Sequence, residues 1–101
     1  MAINVTESDD KQEITIHISG RFDFSCHHAF LQEYKNYPKG EKRFVLDLSA
    51  TEYMDSSAMG MLLQLREHAV KQAGGVTLTN ANESVSTILK IANFDKLFSI
   101  V

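Results

Sequence analysis

A chain of 101 residues with a net charge of −3 is the size of one domain, since domains run to about 100–150 residues. Ten Lys and Arg stand against thirteen Asp and Glu, with no basic run. That argues against a nucleic-acid partner, which needs clustered cations for the phosphates. Hydrophobic residues make up 44%, enough for a globular core, yet no stretch approaches the ~20 apolar residues of a membrane span.

The single Cys26 cannot form an internal disulfide, which fits a reducing compartment. Met1 to Glu7 carries no positive start and no long apolar run, so it does not read as a signal peptide, and a cytoplasmic location is expected. The chain shows no repeat and no linker, so residues 1–101 are read as one domain.

Ile3 and Val5 alternate with polar residues and predict a short first strand, followed by a turn at Ser8-Asp9-Asp10-Lys11. Glu13 to Ser19 alternates strictly. Ile14, Ile16 and Ile18 face one way and Thr15, His17 and Ser19 the other, as in a half-buried strand. His17 on that polar face is expected to be solvated or lightly hydrogen-bonded.

Gly20-Arg21-Phe22-Asp23 ends the strand. Ser25 is the expected cap of a helix from Cys26 to about Asn36, with Phe30 and Tyr34 on its inner face. Cys26-His27-His28 invites a metal reading, but zinc needs three or four ligands and no matching pair exists. No metal and no cofactor is expected. Tyr37-Pro38-Lys39-Gly40 stops the helix.

Arg43 to Leu48 reads as a third strand, its one acid, Asp47, bridging nearby loop amides. A loop around Tyr53-Met54-Asp55-Ser56-Ser57 then opens a helix from Ser57 to about Gln72. At ~100° per residue, Ala58, Leu62, Leu65 and Ala69 make its apolar stripe. Gly60, Gln64, Glu67 and Lys71 make the polar one. Met59, Leu63 and Val70 lie on a flank, with Arg66 close by. That flank reads either as core margin or as an apolar contact patch starting one turn from Ser57.

Gly74-Gly75 is the expected stop. Val76 to Thr79 is a further strand. Asn82 caps a third helix through Ala92, with Val85, Ile88, Leu89 and Ala92 inward and Asn93 as a left-handed C-cap. Leu97 to Val101 is the last strand. The order β-β-α-β-α-β-α-β predicts an α/β domain with a mixed five-stranded sheet, antiparallel at its start and otherwise mostly parallel, with about three helices.

Two adjacent hydroxyls, Ser56 and Ser57, sit where loop becomes helix. The free amides and positive dipole end there favour an anion such as phosphate. Helix capping by these serines is the plain alternative. No catalytic base is evident: His68 lies eleven residues along the same helix, ~16 Å by rise. There is no G-x-S-x-G elbow and no phosphate-binding glycine loop, so no enzyme is expected. A receiver domain with Asp47 as phosphoacceptor fails because a hairpin, not a helix, follows Asp9-Asp10.

Three blocks carry a family resemblance. Gly20-Arg21-Phe22-Asp23 resembles a G-x-[LF]-D motif. Val45-Leu46-Asp47-Leu48 with Met54-Asp55-Ser56-Ser57-Ala58-Met59-Gly60 resembles a D-L-S…D-S-S-G-L-G core. Asn93-Phe94-Asp95-Lys96-Leu97-Phe98 resembles a closing G-L-D-K-L-F. Together they resemble a stand-alone STAS domain of the bacterial anti-sigma factor antagonist type.

The resemblance implies phosphorylation at Ser57, with Ser56 the lesser candidate, by a GHKL-type serine kinase, and reset by a PP2C-type phosphatase. It implies that the unphosphorylated form binds an anti-sigma factor or switch kinase; from charge and hydropathy, no nucleic-acid partner and no membrane insertion are expected. Asp23, Asp55, Ser56, Ser57, Met59, Leu63 and Arg66 are the expected partner-binding residues. Ala58 and Asn93 depart from the family glycines. Small STAS-like proteins also serve as accessory subunits on the ATPase of phospholipid ABC transporters, and that is the alternative function.

Overall fold

The isoleucines of the alternating segment are the centre of the core. In the computed structural model, which describes residues 2–10, 12–70 and 75–101, Ile14, Ile16 and Ile18 are almost completely buried. They lie on strand β2 (Glu13–Phe22), which pairs antiparallel with β1 (Ala2–Glu7) on one side and parallel with β3 (Arg43–Asp47) on the other. Phe44 and Leu46 of β3, and Val76 and Leu78 of β5 (Val76–Thr79), continue the same buried face. Burial of each such side chain stabilises the fold by about 1.5–3 kcal/mol.

The sheet order is β1-β2-β3-β5-β6, with β6 at Ser99–Ile100. A sixth strand, β4 (Thr51–Met54), lies off this path and pairs with the far end of β2. This strand falls in the expected loop. Its burial pattern, inward only at Thr51 and Met54, carries no alternation to reveal it. It exists because β2 is ten residues long and outruns β3. A register shift at Gly20, which takes φ +80°, passes β2 from one neighbour to the other. The Thr51 hydroxyl donates to the Ile18 carbonyl at 2.7 Å and pins the crossing.

Three α-helices complete the domain: α1 (His27–Tyr34), α2 (Ser56–His68) and α3 (Glu83–Ile91). Phe30 and Tyr34 of α1, Ala58, Leu62 and Leu65 of α2, and Val85 and Leu89 of α3 join the sheet's buried residues in one core. Ile88 and Ala92, also expected inward, are half-buried. Asn82 caps α3 by accepting from the Val85 amide at 2.8 Å, and Asn93 takes the left-handed conformation (φ +60°). The opposite sheet face carries Thr15, His17, Asp47, Thr77 and Thr79, all half-buried.

Both ends of the expected α1 move. The helix starts at His27, behind a short 3-10 turn (Phe24–Cys26), and ends at Tyr34. Helix α2 ends at His68, short of Gln72, because Ala69 turns extended at ψ 171°. The stop is tertiary. The Gly40 amide donates to the His68 carbonyl at 2.9 Å, and the Val70 amide donates to Lys42 at 3.0 Å. The expected Lys71, Gln72 and Gly74, like Lys11 of the first turn, lie outside the described residues.

Candidate functional site

Two parallel strands end side by side and each delivers an aspartate. Arg21 pairs with Tyr53 and Phe22 with Met54 across β2 and β4, and the Asp55 amide reaches the Phe22 carbonyl at 3.4 Å. Phe22 and Met54 are buried and anchor the pair. Asp23 and Asp55 therefore leave the sheet from adjacent strand ends.

Each aspartate then caps a helical turn. Asp23 accepts from both the amide and the hydroxyl of Ser25. Ser25, expected as the cap, is instead the donor to it. The hydroxyl of Ser25 holds the Asp23 carboxyl below its usual range. Arg21 adds a contact at 3.6 Å to Asp23 and lies 4.3 Å above the Tyr53 ring. Asp55 accepts from the Ala58 amide at 2.9 Å and is the N-cap of α2.

That cap decides the status of the two serines. Among the described residues, neither the Ser56 nor the Ser57 hydroxyl has a hydrogen-bond partner, and Ser56 is exposed while Ser57 is half-buried. Capping of α2 by either serine is set aside, because Asp55 does that work. With the Ala58 and Met59 amides both bonded to Asp55, the amides of Ser56 and Ser57 remain at the positive end of the helix. Ala58 is fully buried, so its methyl group is part of the core.

The remaining expected residues divide between two flanks of α2. Gln64 and His68 lie within ~20° of Ser57 around the axis, and both line a groove against α1. Met59, Leu63 and Arg66 lie ~180–240° away from Ser57. On that side Arg66 Nε donates to the Leu97 carbonyl at 3.0 Å, next to the turn Phe94–Lys96. Met59 packs against the core margin, whereas Leu63 is 39% exposed. The expected apolar patch thus reaches Ser57 only around the tip of the helix.

Sequence reasoning missed three exposed hydrophobics in this region. Phe24 stacks on His27 at 5.6 Å between ring centres, Tyr53 lies under Arg21, and Leu97 adjoins Arg66. The available signal was the strand period, which turns Tyr53 and Arg21 away from the side that buries Phe22 and Met54.

On the open sheet face, His17 is bound more firmly than expected. Its Nδ1 lies 2.8 Å from Asp47. Asp47 also accepts from the Ser49 amide and the Asn80 side chain, matching its expected bridging role. Burial raises the Asp47 pKa, but these hydrogen bonds outweigh it and bring it to about 2. Cys26 is buried, with its thiol on the Arg21 carbonyl, and His28 contacts Gln32. Among the described residues no three potential metal-ligating side chains come together, and no helix is long and apolar enough to cross a membrane.

Comparison with known proteins gives the family and the fold. The family model described as Mlab, STAS domain matches residues 5–101. A STAS-domain containing protein of Pseudomonas aeruginosa (strain UCBPP-PA14) is 46% identical over 100 residues, covering 99% of each chain. A Thermotoga maritima protein provisionally designated an anti-sigma factor antagonist superposes with a TM-score of 0.79 at 23% identity, over 97% of this chain and 84% of that one. The anti-sigma factor antagonist SpoIIAA in its unphosphorylated form gives 0.69 at 16% identity, over 99% and 87%. The fold is that of anti-sigma factor antagonists, and the chain belongs to the STAS-domain family.

Proposed function

We propose that this protein is a phosphorylation-switched binding protein of the anti-sigma factor antagonist type, a single STAS domain over residues 1–101 acting in the cytoplasm, and not an enzyme. In this reading a GHKL-type serine kinase modifies Ser57, a PP2C-type phosphatase resets it, and the unphosphorylated form binds an anti-sigma factor or the kinase itself. The observation that carries it is the division of labour at the α2 start. Asp55 holds the cap at 2.9 Å, and the Ser57 hydroxyl has no partner among the described residues. A hydroxyl free of structural duty can be modified without unfolding the helix.

Phosphate adds about −1.5 to −2 charges at neutral pH. The helix dipole favours it and neighbouring Asp55 opposes it, so the fold stays as it is while the surface changes. Burying that charge in an interface without partners costs several kcal/mol or more, and a loss of about 1.4 kcal/mol already weakens binding tenfold. The partner footprint is the tip of α2 with Asp23, Asp55, Ser56, Ser57 and Met59, extended by Leu63 and Arg66 along the far flank.

The test is an affinity capture from the host's lysate with wild type and Ser57→Asp as paired baits. Wild type is expected to retain a GHKL-fold kinase or anti-sigma factor that Ser57→Asp loses. The second reading, which the family resemblance also carries, is a STAS accessory subunit on the ATPase of a phospholipid ABC transporter. It predicts that both baits retain the same transporter ATPase.

A further inference from the structure

The groove between α1 and α2, on the Ser57 side of α2, has a volume of about 300 Å³, at the lower end of small-ligand sites. Three groups of its lining residues matter beside Gln64 and His27. Leu31 and Tyr34 supply apolar surface, Lys35 and Lys39 supply positive charge, and His68 and Glu67 belong to α2.

Tyr34 is the informative member. The residue is only 3% exposed, yet its hydroxyl has no hydrogen-bond partner among the described residues and is not sealed from solvent. A buried phenol normally finds a partner. Its ring is held by edge contacts to Phe30 at 5.5 Å and His68 at 5.2 Å. His68 is held in turn by a 2.6 Å hydrogen bond from Nε2 to the Tyr37 carbonyl. The wall is therefore preorganised, and the phenol is presented to the groove as an unused donor. A phenol keeps its proton at neutral pH in any case, and burial raises the Tyr34 pKa further.

Charge completes the picture. Lys35 and Lys39 have no acidic partner among the described residues, in a chain whose net charge is −3. Glu67, the one acid of the lining, already has a partner of its own. We infer that the α1–α2 groove is a binding site for a small amphipathic carboxylate, its apolar body over Leu31 and Tyr34 and its carboxylate between the Tyr34 hydroxyl and the Lys35 and Lys39 ammonium groups. This site is separate from the Ser57 footprint and does not depend on the phospho-switch.

The test is a nuclear magnetic resonance titration of the isotope-labelled full chain with octanoate and with the neutral isostere octanamide. Octanoate is expected to give saturable shifts centred on Leu31, Tyr34, Lys35 and Gln64, with octanamide at least tenfold weaker. The surface double variant Lys35→Gln/Lys39→Gln, checked for an unchanged melting temperature, is expected to reduce octanoate to the level of octanamide. Tyr34→Phe is expected to weaken octanoate severalfold. Shifts that do not saturate, that map elsewhere, or that are equal for the two probes would overturn the inference. So would a double variant that binds octanoate as wild type does.

Discussion

The two ends of α2 are made in different ways. Its start is local: one aspartate, three residues from the amide it accepts, sets the boundary and leaves Ser56 and Ser57 unoccupied. Its end is tertiary: the turn after α1 supplies the Gly40 amide and the Lys42 carbonyl that close it at His68. A local boundary can sit at the surface and change its chemistry without disturbing the core. A boundary made by distant partners ties the helix to the rest of the fold. The end proposed for modification is the local one.

Substitutions at the two ends, and on the core stripe between them, separate the local boundary from the tertiary one. Leu62→Ala removes a fully buried anchor between the ends and should cost about 2–5 kcal/mol, read as a lower denaturation midpoint. Gly40→Ala should cost ~1–2 kcal/mol through backbone strain alone, since Gly40 has φ +83° with open space where the methyl group would go. Amide exchange should then rise at Gly40 and Val70 and not at Ala58. Asp55→Ala removes the local cap and should cost about 1 kcal/mol, with exchange rising at Ala58 and Met59 only.

Asp47→Asn tests the same carboxylate-to-amide chemistry on the open sheet face. Asp47 titrates at about 2 against an unperturbed 3.8. Its stabilisation is complete above the unperturbed value and is lost as pH falls through the folded one. After allowance for solvent screening the effect is about 1 kcal/mol or less, and Asp47→Asn should flatten the acid limb of the stability profile between those values. Smallest of all, Ser57→Asp should change stability by under ~0.5 kcal/mol, because the helix dipole and Asp55 act in opposite directions.

Period-based features were the most legible in the sequence. The Ile14, Ile16 and Ile18 face and the Ala58, Leu62, Leu65 and Ala69 stripe are buried as their spacing predicts, because burial of one face is what produces the period. Features made by chain-distant partners were not legible. Strand β4 depends on β2 outrunning β3, and the end of α2 depends on Gly40 and Lys42. The pairing of His17 with Asp47 joins residues thirty apart. At the candidate site the D-S-S core marked the helix start. The division of Ser57 from Met59, Leu63 and Arg66 follows from ~100° per residue, but which flank meets α1 and which meets Leu97 is set by packing.

The central claim is that modification at Ser57 changes binding while leaving the fold intact. The direct measurement is the affinity of the captured partner, purified, for the unmodified chain and for the chain stoichiometrically phosphorylated at Ser57, with the melting temperature of each form recorded alongside. The phosphorylated chain is expected to bind at least tenfold more weakly, with closely similar melting temperatures for the two forms. Equal affinities, or a weakened affinity accompanied by a large drop in melting temperature, would contradict it.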